Sequence, residues 1–355
     1  MSFYSELKKF YSGRTVLVTG HNGFKGSWLT KILTLWGAKV IGISLPNKNN
    51  EILFEVSGLK NKIDEYLLDI REITTFTKVL STYDVDVIFH LAAQPLVRES
   101  YLEPYETYET NVLGTLNLLE ALRMTAGPVK SVVVVTTDKV YLNREWLWGY
   151  REDEPLNGFD PYSNSKSCAD LLTQSYYKCF LEKKGIAVST VRAGNVIGGG
   201  DRSTDRIIPD CVRAASRREK IIVRNPYSTR PYQHVLEPLS AYLLLGSLQY
   251  QNQELATAYN IGPDDEDCVN TGELVSEFCE SWGDGQDWTT TKLENAPHEA
   301  NFLKLDSSKV KAKLGWKPRW HLKEAIKYTV DWEKGFLADS RVPEIMDLQI
   351  AEYFK

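Results

Sequence analysis

The chain has 355 residues, a formal net charge of −5 and hydrophobic side chains at 43% of positions, which suits a large core in two lobes. Its one basic run, 213–220 with Arg213, Arg217 and Arg218, is short, so nucleic acid is not an expected partner. No stretch approaches the roughly 18 apolar residues of a membrane span and the charged first ten residues do not read as a signal peptide, so the cytoplasm is the expected compartment and no membrane partner is expected.

In chain order, Val16-Leu17-Val18 reads as a buried strand running into Thr19-Gly20-His21-Asn22-Gly23-Phe24-Lys25-Gly26, with an amphipathic helix over 27–36. Gly20, Gly23 and Gly26 let the backbone turn tightly, admit a pyrophosphate and pack the helix on the strand, with phosphates at the positive helix end. Further strands are predicted at 39–44, 66–68, 85–90, 131–136 and 187–192, and helices at 73–81, 104–124 and 162–184. This alternation predicts an α/β fold, a Rossmann-type doubly wound parallel sheet. After Arg192 the pattern turns irregular, with Gly198-Gly199-Gly200, Asn225-Pro226 and Gly262-Pro263, then helices near 272–282 and 322–332. The chain accordingly divides into a dinucleotide-binding domain over 1–193, with a return near 232–262, and a smaller substrate lobe that makes up most of 194–355. Five scattered cysteines (Cys168, Cys179, Cys211, Cys268, Cys279), without CxxC or histidine pairing, predict neither disulfides nor a metal site.

The strand 131–136 delivers Thr137-Asp138-Lys139, and Tyr162-Ser163-Asn164-Ser165-Lys166 opens a helix. Tyr162 and Lys166, four residues apart, share a helix face, and an ammonium beside a phenol lowers its pKa towards neutral. Such a tyrosine can take a hydroxyl proton. Thr137 can hold the same substrate oxygen, while Asp138 and Lys139 add a carboxylate and an amine for chemistry one or two carbons away. A YxxxK alone is a weak signal. Joined to a glycine loop in strand–turn–helix context it is strong, because the two signals are independent.

With those motifs and His90-Leu91-Ala92-Ala93-Gln94 in place, the chain resembles the extended short-chain dehydrogenase/reductase family of nucleotide-sugar enzymes. The longer runs 20–28, 143–152, 192–201 and 230–238 are similar to those of its CDP-glucose 4,6-dehydratase branch, and the resemblance extends from about Gly13 to about Trp332. It implies NAD as cofactor, with Gly20, Asn22, Gly23, Phe24 and Gly26 at the pyrophosphate loop and Asp69 and Ile70 at the adenine. Leu91, Ala92, Ala93, Thr110 and Val196, with Tyr162 and Lys166, would lie along the path to the nicotinamide. Asn195 and Arg230, with Asn260 as a further candidate, would reach the substrate diphosphate. Trp146, Trp148 and Tyr150 would shape the pocket or pack between lobes.

The implied substrate is CDP-glucose and the implied reaction is redox-neutral. Tyr162 takes the C4 hydroxyl proton as hydride leaves for NAD, a proton departs C5, Asp138 protonates the leaving C6 hydroxyl, and hydride returns to C6. Lys139 stands where the dTDP-glucose branch has a glutamate base, so it is either a neutral amine taking the C5 proton or an ammonium steadying the enolate while another group or water takes that proton. The end of the second strand, Gly42-Ile43-Ser44-Leu45-Pro46, carries no acid for a ribose 2′-hydroxyl, and Lys25 is a nearby cation, which leaves NADP open beside NAD. The rival readings are a nucleotide-sugar 4-epimerase, which has no use for an acid at C6, a dehydratase of another nucleotide hexose, and a non-catalytic NAD-binding sensor. A homodimer is implied, its subunits pairing helices 104–124 and 162–184 as a four-helix bundle.

Overall fold

The computed structural model describes residues 3–46, 51–291, 302–338 and 341–355. Strands β1 (Thr15–Thr19), β2 (Lys39–Ser44), β3 (Asp64–Leu67), β4 (Val87–His90), β5 (Ser131–Val135) and β6 (Ala187–Ala193) join a late strand, Tyr259–Ile261, in one seven-stranded sheet. The order is late strand, β6, β5, β4, β1, β2, β3, and every pairing is parallel. A parallel sheet is covered on both faces, which is why β5 reads Ser-Val-Val-Val-Val and is buried throughout. The winding reverses between β1 and β4, and the crevice at the carboxyl ends of those strands is where such folds bind ligands.

One face is sealed by Trp28 and Ile32 of helix Phe24–Leu35 and by Leu239 and Leu243 of helix Leu236–Gln251. The other is sealed by Phe76 and Val79 of helix Ile73–Thr82 and by Leu118 and Leu122 of helix Gly114–Met124. A separate core of Ile208, Val212, Leu274, Phe278 and Ile326 holds the smaller lobe. Helix Leu236–Gln251 packs on the sheet that the late strand joins. Helices Ser308–Leu314 and Val342–Tyr353 also bury Val310, Met346 and Ile350 in the sheet's core.

Two long predicted helices are interrupted. Residues 104–124 run as Pro104–Tyr108, a π-turn at Glu109–Leu113, then Gly114–Met124. The helix from Pro161 to Tyr176 passes through a π-turn at Tyr177–Leu181 and ends in the tighter turn Glu182–Lys184. Its start is well defined: Asp160 caps it by accepting from the Ser163 amide at 2.9 Å, and Pro161 occupies the first turn where no amide donor is needed. Among the described residues no helix is long and apolar enough to cross a membrane, and the five cysteines are free thiols.

Candidate active site

The glycine loop turns where β1 ends. Gly20 sits at φ 70°, and a Cβ there would meet the Ala92 backbone at 2.9 Å, so only glycine lets this loop lie against the one that follows β4. A Cβ on Gly26 would stand 1.9 Å from the Gly20 carbonyl. The amides of Leu91 and Ala92 both donate to Thr19 Oγ1 at 3.1 Å, and the same hydroxyl meets His90 Nδ1 at 2.8 Å. Burial holds the His90 imidazole down at about 3, so it is a neutral structural link. Asn22 donates to the Leu45 carbonyl at 3.0 Å and Phe24 is buried, both close to the switch point.

Downstream of β5, Thr137 caps the short turn Asp138–Val140 and donates to Asp138 Oδ1 at 2.9 Å. Lys139 Nζ donates to the same oxygen at 3.3 Å and to Asn195 Oδ1 at 3.2 Å. Asp138 is fully buried, and its Oδ2 meets no protein donor. Lys166 rises from the catalytic helix to donate to the Val135 carbonyl at 2.9 Å, and burial lowers its amine to about 8. Thr137, Asp138, Lys139, Tyr162, Asn195, Val196 and Arg230 all line one cavity of about 1170 Å³ between the sheet and the smaller lobe. Gly20, Gly23, Gly26, Leu91, Ala92 and Ala93 lie apart from that lining, along the loops after β1 and β4.

Four sequence expectations change. Tyr162 does not have a phenol lowered towards neutral: burial pushes it up to about 12, against a hydrogen bond from Thr137 and the charge of Arg206. Asn260 does not line the cavity. It is fully buried and spent on Tyr141 OH at 2.6 Å and the carbonyls of Tyr150 and Asp306 at 2.7 and 3.2 Å, which makes it a tie between segments. Lys25 does not turn to the ribose edge but lines the catalytic cavity, where burial and then Arg206 bring its amine to about 7. The apparently acid-free end of β2 has a carboxylate after all, because Glu65 of the neighbouring β3 bonds His21 Nε2 at 2.8 Å while His21 Nδ1 meets Ser44 Oγ at 3.1 Å. The adenine candidates Asp69 and Ile70 follow β3, with Asp69 gripping Arg71 at 2.7 Å and Ile70 packed under Gly114. Thr110 sits in the π-turn, away from the cavity lining. Trp146 stacks between Trp148 and Tyr150, at 5.0 and 5.1 Å, as part of a small core with Tyr141 and Leu303.

Two functional supports escaped the sequence reading. Asn111 accepts from the Gln94 amide at 2.8 Å and donates to the Gln94 carbonyl at 3.0 Å and to Ser165 Oγ at 2.9 Å, fastening the catalytic helix to the loop after β4. The π-turn around it widens the helix at that point, a common site for functional side chains. Behind the site, Asp170 and Arg192 form a buried ion pair at 2.9 Å. Only a helix-to-strand contact that no local pattern shows creates it.

The sequence profile of the GDP-mannose 4,6 dehydratase family matches residues 17–329. A CDP-glucose 4,6-dehydratase of Salmonella typhimurium is 44% identical over 352 residues, covering 98% of both chains. A dTDP-D-glucose 4,6-dehydratase of Mus musculus is 28% identical over 268 residues, covering 72% of this chain and 70% of its own. Among solved structures, the dTDP-glucose 4,6-dehydratase of Streptomyces venezuelae with NAD bound superposes with a TM-score of 0.78 at 23% identity, covering 92% of this chain and 98% of that one. With this family match over most of its length, and with Asp138, Lys139 and Tyr162 in one cavity, the chain belongs to the GDP-mannose 4,6 dehydratase family.

Proposed function

We propose that the protein is a CDP-glucose 4,6-dehydratase working with NAD. The observation that carries this reading is the buried Asp138 carboxyl beside Tyr162, an acid that dehydration needs and epimerisation does not, in a chain 44% identical to the Salmonella enzyme. The glycine loop fits a dinucleotide, since its close approaches leave no room for side chains and it opens helix Phe24–Leu35. Glu65, the second residue of β3 and paired across from Gly42, favours NAD over NADP, because a carboxylate accepts from a 2′-hydroxyl and repels a 2′-phosphate. Bound there, NAD supplies the hydride acceptor for C4 and the hydride for C6, ending as it began.

The chain's own groups manage the protons. Tyr162, whose burial favours the phenol, has to enter the reaction as the phenolate to take the C4 hydroxyl proton, with Thr137 hydrogen-bonded to its oxygen. The new ketone acidifies C5–H, and a water molecule in the cavity takes that proton. Lys139, which donates to Asp138 and Asn195, lies where enolate charge develops. Asp138 Oδ2, unengaged by protein, gives its proton to the departing C6 hydroxyl. Arg230, 8% exposed on strand Thr229–Pro231, is placed to hold the diphosphate, and Asn195 stands near it in the lining.

Incubation with CDP-glucose and NAD should produce a 4-keto sugar, seen by its absorbance in alkali, and Tyr162→Phe should lower turnover at least ~10²-fold with the fold intact. Normal turnover in the Phe variant would remove this mechanism. We further propose a homodimer, supported by exposed Leu102, Tyr105, Leu113 and Leu171 on the helices flanking the catalytic one and on that helix itself. Light scattering at micromolar concentration should give twice the 40.4 kDa chain mass, and a monomer mass would rule the dimer out.

A further inference from the structure

Three cationic approaches converge on one oxygen at the rim of the cavity. Arg224 Nη1 and Nη2 each donate to Asp205 Oδ1 at 3.0 Å, and Arg98 Nη1 reaches the same atom at 3.0 Å. Arg224 follows strand Ile221–Val223 of the smaller lobe and Arg98 belongs to helix Val97–Leu102 on the sheet side, so these pairs connect the two walls that the cavity separates. Asp210 Oδ2 approaches Arg224 Nη2 at 3.7 Å and steadies it further. The side chains of Arg224 and Asp205 are 37% and 36% exposed, and ion pairs that wet add little to stability.

Depth orders the cavity. Asp138 is fully buried, Arg230 is 8% exposed, and Arg224 is the most open of the three. A nucleotide sugar that reacts at Asp138 and lays its diphosphate on Arg230 therefore ends with its base at Arg224 and Asp205. We propose that this pair reads the cytosine base, an inference that rests on the CDP-glucose reading of the same cavity. The pairing edge of cytosine presents O2 and N3 as acceptors and the 4-amino group as a donor. A guanidinium offers two parallel N–H groups to the first two, and a carboxylate oxygen accepts from the third. The bonds between Arg224 and Asp205 use one hydrogen each of Nη1 and Nη2 and a single oxygen, which leaves the parallel Nε–H and second Nη2–H of Arg224, and Asp205 Oδ2, for the base. Uracil and thymine reverse two of the three positions: N3 carries a hydrogen that meets the guanidinium, and the 4-oxo group meets the carboxylate.

Calorimetric titration of the full-length protein with CDP and with UDP, which differ only in the base, tests this without any turnover. The wild type should bind CDP at least roughly tenfold more tightly than UDP, the discrimination expected of one good bidentate contact. Arg224→Ala and Arg224→Lys should both weaken CDP binding roughly ten- to hundredfold and leave UDP within about threefold, because lysine keeps the charge but not the fork. If the lysine variant keeps the wild-type ratio, or if alanine weakens both nucleotides equally, Arg224 serves the phosphates or the fold and the proposal is overturned. Equal wild-type affinity for CDP and UDP overturns it too. Turnover keeps the two readings apart: a wild type that prefers CDP yet fails to dehydrate CDP-glucose would sink the assigned reaction and leave the base reader standing.

Discussion

Asp138 and Asp170 are both fully buried carboxylates beside a cation, yet the structure treats them in opposite ways. Asp170 is saturated. Arg192 donates Nε and Nη2 to it at 2.9 Å, Thr136 and Thr190 each donate a hydroxyl at 3.1 Å, and Gln174 donates at 2.7 Å. Asp138 accepts from Thr137 and Lys139 on Oδ1 alone and leaves Oδ2 without a protein partner. An unsatisfied buried oxygen costs about 1–3 kcal/mol, and in the proposed reaction that oxygen faces the C6 hydroxyl of the substrate. Asp170 builds the floor on which β5, β6 and helix Pro161–Tyr176 meet, and in the proposed reaction Asp138 works above it.

The sharpest way to break this comparison is Asp138→Asn, which keeps the shape but has no carboxyl proton to give. Turnover should fall by roughly 10²–10⁴-fold while the melting temperature stays near wild type, and NADH absorbance should build up within a single turnover as hydride waits to return. Normal dehydration by this variant would place Asp138 with Asp170 as structural. Asp170→Asn should do the reverse, leaving Arg192 buried without its countercharge. Stability should drop by about 3–5 kcal/mol, read from the urea midpoint, with turnover per folded molecule changing far less than in the Asp138 variant.

Glu237 sharpens the contrast from a third direction and with the smallest effect. It is buried, accepts from the Trp320 amide at 2.8 Å and from Tyr353 OH at 2.8 Å, and burial pushes its carboxyl up to about 7 from 4.5 against those bonds. Its native pKa is raised, so its contribution is complete below the unfolded value of 4.5 and is lost as the pH climbs through about 7. Stability should therefore decline across that window, and Glu237→Gln should flatten the decline, by no more than about 1.4 kcal/mol per pH unit. An unchanged pH slope in urea melts of the variant would show that Glu237 ionises normally in the fold.

Much of the site was legible because its signals are local. The glycine spacing after β1, Asp138 and Lys139 at the end of β5, and Tyr162 four residues before Lys166 each describe a stretch of chain short enough for strand and helix geometry to determine where its side chains go. The alternation of strand and helix likewise predicts a parallel, doubly wound sheet, since each helix must cross over that sheet and bury its apolar stripe there.

What sequence alone could not assign were roles set by partners far along the chain. Asn260, a diphosphate candidate by resemblance, is instead claimed by Tyr141, Tyr150 and Asp306, 119, 110 and 46 residues away. The carboxylate of Glu65, proposed to favour NAD, belongs to β3, and it reaches His21 only because β3 lies beside β2 in the sheet. Lys25 and Tyr162 hold protonation states set by burial between two lobes, an environment that exists only once the chain has closed around the cavity. Periodicity and spacing therefore determined the elements and the reactive groups, whereas desolvation and long-range hydrogen bonding, which appear only in the tertiary structure, decided which groups stay available to a substrate and which are consumed in holding the fold.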